Sequence, residues 1–124
     1  MAKRPNFDKV VSAARAAKIM GVRAGSEHRF TAVWVVVVDD RIFARSWSDK
    51  STGWFRAFKK EPNGVIQVGD YEVKVRAKAV RSSRMRDAVT AAYGDKYNTK
   101  ASKKWVDGFA EAERAANTLE FVPR

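Results

Sequence analysis

Residues 32–46, AVWVVVVDDRIFARS, decide the fold. The run before the two aspartates is apolar on both alternating faces, which is typical of a β-strand covered on both sides. Asp39 and Asp40 predict a tight turn, because Asp tolerates the positive φ that a two-residue hairpin requires. Strands over residues 29–38 and 41–47 are therefore expected to form an antiparallel hairpin, with the first strand central and doubly covered.

A second hairpin is predicted further along the chain. Residues 65–68 are largely apolar, a Gly-Asp pair follows as the turn, and residues 71–79 alternate apolar with charged side chains. This alternation indicates one face in the core and one in water. A short strand is expected over residues 21–24, and residues 118–122 alternate like a final edge strand.

Helical patterns flank these strands. Asn6 can cap an amphipathic helix that ends before Gly21, because apolar residues recur there at spacings of three and four. A short helix is expected from Trp54, and Pro62 must stop it.

The C-terminal part is predicted to be mainly helical. Ser82 or Ser83 can cap a helix that runs towards Tyr97 and is interrupted by Gly94. Residues 98–117 carry apolar side chains at helical spacing, which fits one helix or two. Helices beside runs of antiparallel strands indicate an α+β barrel or sheet.

Composition restricts the class of function. The chain has 124 residues, 45% of them hydrophobic, which is the size and apolar content of one folded domain. It has no cysteine and one histidine, so disulfides, thiolate metal sites and sites that need two imidazoles are excluded. No glycine-rich dinucleotide loop or Walker lysine is present. The longest apolar run is too short for a membrane helix, and we expect a cytoplasmic protein with no membrane partner.

The charge balance favours anionic partners. Twenty-five lysines and arginines against 14 acids give a net charge of +11. Residues 74–86 contain six cations and no acid. One interpretation is a basic face that binds nucleic acid, and the other is a solvated strand face followed by a charged helix start.

Residues 45–56, RSWSDKSTGWFR, form the candidate binding segment. They combine two arginines, one lysine and four hydroxyls between a strand and a helix. Cationic side chains and unpaired N–H groups at a helix start both favour a bound anion such as phosphate. Trp47 and Trp54 offer faces on which a flavin ring or a nucleobase could stack. Alternatively, both tryptophans are core residues beside a turn capped by Ser51 or Thr52.

The order of these motifs resembles a known family. The matching stretches are residues 32–46, 53–56, 64–69, 91–97 and 118–124. Their succession is similar to the small bacterial family called domain of unknown function 2255, from about residue 22 to the last residue. That family is similar in turn to split β-barrel proteins, which include pyridoxamine-phosphate-oxidase-like flavoproteins and deazaflavin-dependent nitroreductases.

The resemblance implies an α+β fold, an FMN-binding-like split β-barrel that is mostly antiparallel and has flanking helices. We expect a single domain over residues 1–124. Its parts are an N-terminal amphipathic helix at 1–21, the barrel core at 22–81, and a helical segment with a final strand at 82–124. A homodimer is also implied, with FMN or a deazaflavin bound at the dimer cleft.

Site residues carry over by position. The resemblance places four residues beside the cofactor phosphate, Arg45, Lys50, Ser51 and Arg56, and two near the ring or the dimer seam, Trp34 and Trp54. The chain departs from the deazaflavin enzymes at residues 23–29, RAGSEHR, where those enzymes usually show a Gly-Arg-Lys-Ser-Gly loop. Residues 23–29 keep only fragments of that loop and contain an additional acid, Glu27.

Three functions are compatible with these features. In the first, a bound flavin or deazaflavin passes hydride to a small-molecule substrate, and no catalytic side chain or metal is assigned. In the second, the barrel is structural or binds a small ligand without catalysis, in an apolar pocket lined by Trp34, Trp47 and Trp54. In the third, it is a basic module that binds nucleic acid through the cations of residues 74–86.

Overall fold

The computed structural model describes residues 6–26, 29–48, 50 and 53–124. These residues form five helices, α1 (Phe7–Ala16), α2 (Trp54–Lys60), α3 (Ser83–Lys96), α4 (Lys103–Phe109) and α5 (Ala112–Ala115). They also form six strands, β1 (Ile19–Ala24), β2 (Thr31–Val38), β3 (Arg41–Arg45), β4 (Asn63–Val68), β5 (Tyr71–Ala79) and β6 (Thr118–Pro123). No helix within the described ranges has the length and apolar character needed to cross a membrane.

The strands close into an antiparallel barrel in the order β1-β2-β3-β6-β5-β4, and β4 pairs back with β1. Both predicted hairpins are present. Asp39 and Asp40 join β2 to β3 with φ angles of 52° and 58°. Gly69, with φ of 57°, turns β4 into β5. The predicted α+β barrel with flanking helices is therefore confirmed.

Some details differ from the expectations. β6 is not an edge strand, because it pairs with β3 on one side and β5 on the other. The barrel is thus not confined to residues 22–81. Alternation in sequence cannot distinguish an edge strand from an inner one, since either buries a single face. Gly94 does not interrupt α3, whose buried residues Val89 and Tyr93 hold the helix against the barrel. Residues 98–117 contain two helices.

Two apolar cores lie on opposite faces of the β2–β3 hairpin. The first fills the barrel. It contains strand residues, among them Met20, Val22, Val35, Ile42, Ile66 and Val75, together with Val10 of α1 and Phe58 of α2. The second lies outside the hairpin, under α3 and α4, and contains Val36, Phe43, Val89, Tyr93, Tyr97 and Phe109. β2 is therefore covered on both faces, as its sequence predicts. The second core positions the candidate site, because Trp34 packs against it.

Candidate functional site

All four tryptophans of the chain line one cleft of about 330 Å³, which we call the aromatic cleft. They come from four places in the chain: β2, the segment after β3, the first residue of α2, and α4. Its main lining residues are Trp34, Trp47, Trp54, Trp105, Phe109 and Arg45. Trp105 is not among the site residues predicted from the sequence, because its helical spacing with Phe109 is typical of a buried stripe. Instead, it is 44% exposed.

The aromatic rings divide the cleft into a packed side and an exposed side. On the packed side, the rings of Trp34 and Tyr97 are stacked with centroids 4.2 Å apart and an interplanar angle of 2°. On the exposed side, Trp47 contacts Trp105 edge to face at 5.0 Å, and Trp47 is 38% exposed. Face and edge geometries of this kind are favourable for aromatic pairs. Aromatic surface therefore remains available at the mouth of the cleft.

The Tyr93 hydroxyl of α3 holds two strands together behind the cleft. The β2–β3 pairing ends at Val35 and Ala44. Just beyond it, the Tyr93 hydroxyl accepts a hydrogen bond from the Arg45 amide at 2.9 Å and donates one to the Trp34 carbonyl at 2.9 Å. The hydroxyl thus bridges the two strands where their ladder stops. Burial raises the pKa of Tyr93, so this hydroxyl remains protonated at neutral pH.

Arg45 is a buried connector between four elements. Its Nε donates to the Thr118 hydroxyl and its Nη1 to the Thr90 hydroxyl, both at 2.7 Å. The Phe109 carbonyl accepts from Nη1 at 2.7 Å, and the Arg86 carbonyl accepts from Nη2 at 2.9 Å. Burial lowers the pKa of Arg45 from its ordinary value. Four of the five guanidinium N–H groups therefore already bond to the protein.

A second cavity, of about 430 Å³, lies where β1, β2 and α2 meet, and we call it the basic pocket. Arg23, Arg29 and Lys60 line it with one acid, Glu61, and Trp54 lines both cavities. The Arg23 guanidinium lies 4.5 Å from the Phe30 ring centroid. Its Nε is buried and has no hydrogen-bond partner among the residues that the structure describes. Two of the three cations, Arg23 and Arg29, belong to residues 23–29, the stretch in which the sequence differs from the deazaflavin enzymes. The arginines of that stretch are the sequence feature that could have indicated this pocket.

The other predicted phosphate ligands lie elsewhere. Lys50 is exposed and its carbonyl accepts a hydrogen bond from the Gly53 amide at 2.9 Å. Arg56 is exposed on α2, and neither it nor Lys50 is among the described residues that line the two cavities. Ser51 lies outside the described residues, as does Thr52. The N-cap of α2 is Gly53, without a side-chain cap. The structure therefore brings Trp34, Trp54 and Arg45 into one cleft, without Lys50 or Arg56.

Two solved structures share this fold. The conserved hypothetical protein Rv2991 of Mycobacterium tuberculosis is 16% identical, with a TM-score of 0.65 over 99% of this chain and 86% of that one. A Listeria innocua protein described as a "putative pyridoxamine 5'-phosphate oxidase" is 12% identical, with a TM-score of 0.61 over 95% and 93% of the two chains. At such identities the likeness concerns the fold alone. In fold class, the chain is a split β-barrel protein.

The family follows from the sequence match. The model of the family described as "Uncharacterized protein conserved in bacteria (DUF2255)" matches residues 9–121. The chain belongs to this family, which confirms the resemblance seen in its motifs. No curated protein matches the chain.

Proposed function

We propose that the chain binds a flavin-type cofactor, FMN or a deazaflavin, with the ring in the aromatic cleft and the phosphate in the basic pocket. The observation that carries this proposal is that Trp54 lines both cavities. A ligand with a planar ring and an anionic arm can therefore extend from one cavity into the other past a single side chain. Both volumes lie in the range of small-molecule sites. The chain also shares its fold with the Listeria innocua protein described as a "putative pyridoxamine 5'-phosphate oxidase".

The basic pocket suits a phosphate in charge and in hydrogen bonding. Its three cations outnumber the single acid, Glu61. Taking a guanidinium nitrogen out of water without a partner costs free energy, and Arg23 Nε is such an atom among the described residues. A phosphate beside the Arg23 guanidinium would offset the positive charge of this side chain. Arg29 and Lys60 would add positive charge around it.

The aromatic cleft suits a planar ring. Trp34 is fixed from behind by Tyr97, and Trp54 stands at the junction of the two cavities. When bound, a flavin supplies hydride or electron transfer for a small-molecule substrate. In this proposal the protein orients the ring between indoles and keeps water from one side of it. Arg45 acts as a positioning residue, because its hydrogen bonds hold β3 against α3 and α4.

A second copy of the chain would complete the cleft. Trp47 and Trp105 form an exposed aromatic edge at its mouth. Large exposed aromatic side chains are enriched in the centres of protein interfaces. We therefore include a homodimer in the proposal, with this edge at the subunit boundary. Sedimentation of the wild type and of Trp105→Ser tests it, since the variant should shift the equilibrium towards monomer.

The phosphate site is tested by comparing FMN with riboflavin, which lacks the phosphate. Flavin fluorescence and tryptophan emission are followed as each ligand is added to about 100 μM. Arg23→Gln should weaken FMN binding about tenfold and leave riboflavin binding unchanged, because one charge-assisted bond is lost. Lys50→Gln tests the predicted role of Lys50 beside the phosphate in the same way. Lys100→Gln, on an exposed loop, is the matched control for loss of one charge.

The outcomes separate the alternatives. No change in the fluorescence of FMN, of riboflavin or of a deazaflavin added at the same concentration rejects the cofactor. Riboflavin binding as tight as that of FMN keeps the ring site and rejects the phosphate site. An effect of Lys50→Gln but not of Arg23→Gln moves the phosphate to the segment that the sequence resemblance indicates. Binding of small aromatic ligands without flavin binding favours the non-catalytic barrel.

A further inference from the structure

The outer face of β5 carries a line of positive charge. Alternate residues of this strand enter the barrel core, whereas Lys74, Arg76 and Lys78 are exposed on the opposite face. Alternate residues of a strand are about 7 Å apart, so the three charges follow one another over about 14 Å. These three residues are the basic strand face.

Further cations extend the basic strand face at both ends. The Arg124 amide donates to the Lys74 carbonyl at 3.1 Å, which places the last residue of the chain beside one end. Beyond the other end, Arg81 and Arg84 are exposed at the start of α3. The first turn of α3 contains no acidic side chain, so no carboxylate of that turn offsets them. Positive charges therefore run from Arg124, which follows β6, along β5 to the start of α3.

Glu72 and Glu120 lie near this surface without forming an ion pair with its cations in the part of the chain that the structure describes. Glu72 is exposed at the start of β5, before Lys74. Glu120 lies opposite Lys78 in the β5–β6 register, but both of its carboxylate oxygens accept hydrogen bonds from Arg41, at 2.7 and 2.8 Å. Within the described ranges, no residue of the basic strand face forms an ion pair. Aligned like charges repel, and a bound polyanion would remove that repulsion.

We propose that the basic strand face binds the phosphate backbone of duplex nucleic acid without reading its sequence. The charges form one line, which suits a linear polyanion. Single-strand binding normally uses aromatic side chains that stack on bases. The neighbouring outward residues of β4 and β6 include Val65 and Val122, and no aromatic residue. The exposed large apolar side chains that would help to anchor a membrane lie on other elements, at Ile19, Trp47 and Trp105. This surface is independent of the proposed flavin site.

Fluorescence anisotropy of a short labelled DNA duplex of mixed sequence tests the proposal. Wild-type protein should bind at about 50 mM salt, and log K should fall against log salt with a slope of about −3 to −5. The triple variant K74Q/R76Q/K78Q should weaken binding about tenfold or more and reduce the slope by about 3. All three side chains are exposed, so thermal unfolding should stay close to wild type. If the triple variant does not fold, Arg76→Gln alone should reduce the slope by about 1.

The matched control removes the same net charge elsewhere. Lys9, Lys18 and Lys100 are exposed and lie outside the basic strand face. Their triple replacement by Gln should change duplex affinity by no more than about twofold. Equal weakening by the two triple variants would show that overall charge, not this face, is responsible, and would overturn the proposal. So would absence of binding at about 50 mM salt, or binding to phosphatidylserine vesicles without binding to the duplex.

Discussion

The ring of Trp34 lies parallel to the ring of Tyr97, 4.2 Å away, and so forms the back wall of the aromatic cleft. The Tyr97 hydroxyl accepts a hydrogen bond from the Val35 amide at 3.0 Å and donates to the Lys18 carbonyl at 2.6 Å. Tyr97, the residue that follows α3, therefore ties β2 to the segment before β1 and also positions the indole of Trp34. The shape of the cleft depends on the docking of α3.

Tyr97→Phe should lower the free energy of unfolding by about 1–3 kcal/mol. The stacked ring is kept, but the buried Val35 amide loses its hydroxyl acceptor, and unsatisfied buried groups cost this much. Urea unfolding followed by circular dichroism measures the change. Tyr71→Phe is the control, since the Tyr71 hydroxyl makes no hydrogen bond with the part of the chain that the structure describes. A loss no larger than that of the control would contradict the assigned role.

Alkaline pH should destabilise the fold through Tyr93 and Tyr97. Burial raises the pKa of Tyr97 to about 12 and raises that of Tyr93 as well. The unfolded chain loses these protons near the ordinary value of 10.0, so the stabilisation is complete below pH 10 and is lost as pH rises towards 12. Burial lowers the pKa of Lys96 to about 8, so this group adds stability as pH rises above about 8. That gain is complete near its ordinary value of 10.5, below the range in which the tyrosines ionise in the folded chain.

Tyrosinate absorbance and tryptophan emission, recorded together, check this pH dependence. The chain has three tyrosines, so a Tyr71→Phe background leaves only the two buried reporters. Their ionisation should coincide with unfolding. Ionisation near pH 10 in a chain that is still folded would contradict the effect of burial on these hydroxyls.

Local patterns in the sequence account for most of the fold. The alternation of β5 and the Asp39-Asp40 turn depend on residues close in sequence, and both agree with the structure. The closure of the barrel by β6 depends on pairing with β3, more than 70 positions away along the chain. Neither propensity nor alternation contains that information. A final strand could therefore be predicted, but not its place between β3 and β5.

The site was predictable only in part, because it too depends on contacts between residues that are far apart in the sequence. Trp34 and Trp54 belong to the motifs that carry the resemblance, and both line the aromatic cleft. The basic pocket instead joins Arg23 of β1 with Lys60 of α2, and only the β1–α2 packing brings them together. The sequence of residues 45–56 is rich in anion-binding side chains. It does not reveal that Arg45 is enclosed by protein acceptors.

Arg45→Lys should lower the free energy of unfolding by about 2–4 kcal/mol. A lysine keeps the charge, but it cannot reach the two hydroxyls and two carbonyls that the guanidinium contacts on α3, α4 and β6. Denaturant unfolding gives the change directly. This prediction treats Arg45 as part of the fold, so a loss of this size should already appear without added FMN.

Arg41→Lys is the control on the same strand. Arg41 also makes two side-chain hydrogen bonds, to Glu120, but it is half-exposed, and such pairs contribute only about 0–1 kcal/mol. Equal unfolding midpoints for Arg45→Lys and wild type would show that the buried hydrogen bonds of Arg45 are dispensable. A loss seen only with FMN present would instead assign Arg45 to the phosphate.

Gly108→Ala should destabilise the protein by about 1–3 kcal/mol, although alanine favours helices more than glycine. A Cβ at Gly108 would overlap two carbons of the Trp47 ring, which also has the Arg114 guanidinium 3.6 Å from its centroid. Trp47 would have to leave this position, and tryptophan emission should shift with the unfolding midpoint. Gly94→Ala is the helical control: its Cβ would lie 3.9 Å from Val106, an ordinary contact, so stability should rise by about 0.5–1 kcal/mol. Stabilisation by both substitutions would show that the Trp47 ring does not rest on α4.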